Sequence, residues 1–265
     1  MNHGKLPILY IVLFSYRFLF HNTKIFLKLV WFPIGVGVFF PFLINALQFS
    51  QKEISLSFLA FGYLFPILLI PAITSWHRLI ILKSGENSPR VSYAIKKNEL
   101  VYAWKLFIFY LAYGVVSAII ILPLSALMGF MHEVDFLTQL QQNNQFPINI
   151  VVSSVALWPI SGMLLMLPAA AIGMSIGMGE ADVSSRGNKT RIWLSYILAL
   201  APTLILQNLF EVSFDTVMGE NSDNIMVVRA LFYTTVEILF MMITVGVVSL
   251  SYIWVAEERE LPTIK

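Results

Sequence analysis

No residue between Leu106 and Met131 carries a charge, and at 1.5 Å per residue this run is longer than a bilayer-crossing helix requires. A lipid environment offers backbone N–H and C=O groups no partners, so such a run must satisfy them internally, as a helix does. Comparable runs extend over 29–51, 54–76, 148–179 and 192–210; a further one, 226–256, is interrupted only by Arg229 and Glu237. Composition agrees: 58% of the chain is hydrophobic and 12% is charged, against about 25% charged in soluble domains. The mean hydropathy is +0.77. The expected architecture is an all-α membrane protein with about six transmembrane helices at 29–256. An amphipathic interfacial segment at 1–28 precedes them and a cytoplasmic tail at 257–265 follows. Six spans and their connections use up the 265 residues and leave no room for a separate soluble catalytic domain.

Charge distribution orients these helices. The connection from Trp76 to Lys105 holds six Lys/Arg against two acids, Glu86 and Glu99, and basic connections stay on the cytoplasmic side. With that side fixed, only Lys52 and Arg229 of the 17 Lys/Arg fall outside, which leaves fifteen inside. The expected topology is N-in/C-in, with three hairpins joined by interfacial elbows and with acidic or uncharged external connections at 132–147 and 211–224. Trp31, Trp76, Trp104, Trp193 and Trp254 lie near the inner ends, where an indole can keep its ring in the acyl boundary and its N–H in the headgroups. Arg17, His21, Lys24 and Lys28, spaced three and four apart, suggest a helix at the inner leaflet with its cations toward lipid phosphate. Arg17, His21, Lys24 and Lys28 follow the apolar Leu6–Tyr16 stretch and no small-residue cleavage site appears, an order opposite to that of a signal peptide.

The elbows also carry a resemblance. Trp76-His77-Arg78-Leu79-Ile80-Ile81-Leu82, and Leu167-Pro168-Ala169-Ala170-Ala171-Ile172-Gly173 followed by Gly187-Asn188, are similar to two signatures of a family of uncharacterised bacterial multi-pass proteins. The resemblance covers most of the chain and implies a six-span inner-membrane protein; it brings no established reaction. Where such relatives carry an aromatic residue and Thr before Gly-Asn, this chain has Val183-Ser184-Ser185-Arg186.

Chemistry-bearing patterns are sparse. The four histidines are scattered, form no His-Glu-x-x-His pattern and meet no carboxylate cluster, so no metal site is expected; no cofactor motif is present either. The chain has no cysteine, which removes disulfides and thiolate chemistry. Gly173 to Gly179 is glycine-rich but lacks the Lys-Ser/Thr of a P-loop; on a helix, Ala169, Gly173 and Gly177 would form a four-spaced packing stripe, within one copy or between two. Trp76, His77 and Arg78 are expected to anchor a helix end. Together with Lys83, Arg90, Lys96 and Lys97 they form a candidate headgroup site, each cation adding about 1 kcal/mol near an anionic leaflet. A histidine catalyst would need a nucleophile or orienting acid that the neighbouring sequence does not supply. Membrane phosphate also accounts for the basic residues without nucleic acid.

Glu237 is the one acid well inside an expected span. Twelve residues beyond Ile225, it lies about 18 Å along a helix that crosses roughly 30 Å of hydrocarbon, so it should face the bundle or a wet cavity. Gln207, Asn208 and Arg229 are its candidate polar neighbours. The functional expectation is a non-enzymatic structural, assembly or envelope-maintenance factor in the bacterial inner membrane that contacts anionic lipid, a membrane partner or another copy of itself. The alternative is a small transporter using proline-kinked helices and Glu237.

Overall fold

A computed structural model describes residues 5–46, 51–82, 95–130, 154–218 and 223–259. Lys83, Arg90, the 132–147 connection and most of the C-terminal tail lie outside these residues. Helix α1 (Ile8–His21) is followed by α2 (Thr23–Ala46), α3 (Gln51–Ile81) and α4 (Lys97–Phe130). Residues 154–160 are helical and pass through a 3-10 turn, Ser161–Leu165, into α5 (Met166–Ala171). Helices α6 (Met178–Ser184), α7 (Lys189–Met218) and α8 (Asp223–Arg259) complete the order.

Five segments are long and apolar enough to cross a membrane: Thr23–Phe40, Lys97–Pro123, Ser154–Ala171, Lys189–Gln207 and Val228–Glu257. The chain is a multi-pass membrane protein. The sixth expected span falls in α3, whose described side chains begin at Phe65; Phe65–Ile81 is a shorter apolar helix. Two expected boundaries differ. Helix α7 runs on to Met218 and α8 starts at Asp223, so most of the expected 211–224 connection is helical. At the other end of the chain, α1 and α2 are separate helices. Asn22 interrupts them, its side-chain amide donating to the Phe18 carbonyl at 2.9 Å, while Thr23 Oγ1 donates to Phe20 O at 2.7 Å. Such side chains offer the backbone alternatives to the helical ladder.

Helix α8 is the centre of the bundle, packed on α1, α2, α3 and α7. Its C-terminal half is almost entirely enclosed, whereas α4 exposes Trp104, Phe107, Leu111, Val115 and Ile119, the kind of surface a bundle presents to lipid. Gly246 lets α1 approach α8: a Cβ there would stand 3.1 Å from Ser15 Cβ. Leu6, just ahead of α1, is tied to α7. The Leu6 N–H donates to Asn188 Oδ1 at 3.1 Å, and Arg191 Nη1 donates to the Leu6 carbonyl at 2.8 Å. Asn188 occupies the N-cap of α7, its own carbonyl accepting from Ile192 N at 2.9 Å. Gly187, at φ +88°, supplies the left-handed turn ahead of it.

Candidate functional site

The segments 76–82 and 167–173 meet in space. Helix α5 ends in a Schellman motif: Gly173 adopts φ +85°, its N–H bonds to Ala170 O at 3.0 Å, and Met174 N bonds to Ala169 O at 2.9 Å. This geometry corrects the expected small-residue stripe. The helix stops at Ala171 and Gly177 is the N-cap of α6, so Ala169, Gly173 and Gly177 do not share a helical face. The next carbonyl, Ala171 O, accepts from Arg78 Nε at 2.6 Å, which places a cation at the negative end of α5. The same guanidinium donates from Nη1 to Glu99 Oε1 at 2.9 Å, and Glu99 Oε2 accepts from Lys96 N at 3.0 Å, capping α4. Arg78 therefore ties the end of α3 to the end of α5 and the start of α4. Lys105 adds a second strut, donating to Ile176 O at 2.9 Å.

Trp76 and His77 are each 1% exposed, so both face the protein and neither reaches the headgroups as the anchor expectation required. Trp76 meets Phe18 and Phe26 edge-on, at centroid distances of 5.4 and 6.3 Å. His77 Nδ1 lies 2.7 Å from Ser249 Oγ, and Nε2 lies 3.3 Å from the Tyr102 hydroxyl. Ser249 already donates its own proton to Val245 O at 2.8 Å. With the Ser249 proton on Val245 O, the short contact is donated by Nδ1 and Nε2 accepts from Tyr102 O–H. The chain of donors runs Tyr102 to His77 to Ser249 to Val245, with a neutral imidazole whose two nitrogens are both occupied. In this tautomer His77 donates to Ser249.

Beside this chain opens a cavity of about 390 Å³, within the ~300–1,000 Å³ range of small-molecule sites. Three helices line it over matching lengths: α3 from Pro66 to His77, α7 from Tyr196 to Gln207, and α8 from Glu237 to Val248. Tyr102 and Tyr110 of α4 and Leu164 and Leu167 before and within α5 close its sides. Glu237 is exposed at one end, with half-buried Gln207 across from it on α7. Thr203, 6% exposed, also faces the cavity, and its hydroxyl has no hydrogen-bond partner. Glu237 and Gln207, paired in the sequence reading, thus line one space. The Asn208 side chain lies outside the described residues, and Arg229, half-buried two turns further out, does not line the cavity.

The remaining headgroup candidates separate from this site. Lys96, just ahead of α4, and Lys97, its first residue, are exposed. Arg17, His21, Lys24 and Lys28 are exposed around the α1–α2 junction. Among the described residues, no group of three or more His, Cys, Asp or Glu is arranged to hold a metal ion. Glu99, Tyr102 and Ser249 were not anticipated from sequence; the one available signal was Glu99 three residues after Lys96, the spacing of a side chain that caps its own helix. No protein-family model, curated protein or solved structure matches the chain.

Proposed function

We propose that this is a non-catalytic inner-membrane protein that holds an amphipathic membrane component in its intramembrane cavity while its basic end rests on anionic lipid, in the service of envelope structure or assembly. The cavity carries the reading: it is lined by five elements of the bundle, mostly apolar, and polar at its two ends. An N-in/C-in arrangement of three hairpins, and the likeness to multi-pass inner-membrane proteins, belong to the same proposal. Exposed Arg17, Lys24, Lys28, Lys96 and Lys97 would form its lipid seat.

That seat predicts a charge-specific effect. Replacing Arg17, Lys24 and Lys28 together with Gln should lower retention of phosphatidylglycerol in native mass spectrometry without lowering the melting temperature, since each cation contributes about 1 kcal/mol at an anionic surface. Retention equal to that of the unaltered protein would remove the seat from the proposal.

Exposure of Glu237 at the end of the cavity supports a second reading, in which the occupant moves through the bundle. Proteoliposomes separate the two. Holding predicts binding of a labelled amphiphile with no protein-dependent transfer between leaflets; transfer abolished by Glu237→Gln in a folded protein would establish the transporter.

A further inference from the structure

We infer that the cavity is a site for a single-chain amphiphile whose head is a hydrogen-bond donor without negative charge, an amine or a hydroxyl, seated at Glu237. This rests on the cavity-binding reading above and adds the class of ligand. Shape comes first. Eleven residues separate the end positions on each of α3, α7 and α8, so the cavity extends about 16 Å along the helices. A volume of about 390 Å³ drawn out over that length suits one extended chain lying along the helices. With carbon–carbon bonds of about 1.5 Å in a zigzag, roughly a dozen carbons fill it.

The orientation of the occupant follows from which polar groups are free. At the inner end, His77, Tyr102 and Ser249 satisfy one another, as derived above. At the other end the Thr203 hydroxyl has no partner, and Glu237 makes no ion pair among the described residues. A buried hydroxyl without a partner costs about 1–3 kcal/mol, and a head that bonds it recovers part of that cost. The head therefore belongs beside Glu237, Gln207 and Thr203, with the chain running toward His77. No Lys or Arg lines the cavity, so a carboxylate or phosphate head would meet the Glu237 carboxylate with no cation to offset it. An ammonium or hydroxyl would donate to that carboxylate. The site thus selects against the anionic headgroups favoured by the exposed cations elsewhere on the protein.

The test uses the full chain in phosphatidylcholine nanodiscs and a dodecylamine carrying a photoreactive diazirine near the end of its chain. Labelling should map to cavity-facing positions such as Leu167 and Val248, and unlabelled dodecylamine and dodecanol should compete at least about tenfold better than dodecanoate. Glu237→Lys should remove the advantage of the amine and raise competition by dodecanoate. Leu200→Trp, with Met241→Trp as an alternative plug should the first fail to fold, should abolish labelling by filling the cavity. If no cavity position is labelled in the unaltered protein, the cavity-binding reading itself falls. If labelling occurs and is blocked by the plug, but dodecanoate competes as well as the amine, binding stands and the assignment of the head is overturned.

Discussion

Arg78→Ala is expected to destabilise the bundle by about 3 kcal/mol, the lower end of the range for breaking a buried ion pair, because the Arg78 side chain is one quarter exposed. The cost has two sources. Glu99, whose side chain is 5% exposed, would keep its charge in a site that no longer contains a cation, and Ala171 O at the end of α5 would lose its 2.6 Å donor. Thermal unfolding in one detergent, free of added lipid, measures the loss. Arg78→Lys should recover only part of it. A single ammonium lacks the planar fork by which Nε serves Ala171 while Nη1 serves Glu99. Glu99→Gln in the Arg78→Ala background should recover stability, since the amide oxygen still accepts from Lys96 N while the uncompensated charge is gone. An unchanged melting temperature for Arg78→Ala would mean that the guanidinium acts on lipid and not as a brace.

This brace marks the limit of what the linear chain discloses. The long apolar runs identify spans because lipid excludes other solutions for the backbone, and α4, α7 and α8 cover the runs expected of them. A cation at the end of a helix is more ambiguous. Sequence places Arg78 where a headgroup contact and an internal cap look alike, and the decision rests on Glu99 and Ala171, 21 and 93 residues away. Likewise, glycines four apart read as a packing stripe if the helix continues and as turn and cap if it stops. Only the positive φ of Gly173 separates these cases. Glu237 was legible because an isolated carboxylate in an apolar run is costly wherever lipid can reach it. Its neighbour on the cavity wall, Thr203, was not, since a lone threonine in an apolar helix usually bonds its own backbone.

The anchor and core readings of Trp76 predict opposite results, and Trp76→Ala is expected to cost about 3–5 kcal/mol, the range for truncating a buried aromatic residue. The indole is 1% exposed and holds Phe18 of α1 and Phe26 of α2 against the end of α3, so its loss opens a void where three helices meet. Those helices are fixed elsewhere, by Asn188 and Arg191 on Leu6 and by the packing of Ser15 on Gly246, and they have little freedom to collapse into the space. Trp76→Phe should retain much of the edge-on packing and lose correspondingly less. The matched control is Trp104→Ala on α4. That indole is 60% exposed, also sits near an expected inner end, and should change stability in detergent by no more than about 0.5 kcal/mol. An interfacial anchor would reverse the pattern. Trp76→Ala would then be silent in detergent and appear only as altered seating in bilayers, because nothing would be lost from the protein interior. Melting temperatures of the three variants, in a single detergent and again in nanodiscs, distinguish the outcomes. Equal and small shifts for Trp76→Ala and Trp104→Ala in detergent would overturn the packing role assigned to Trp76.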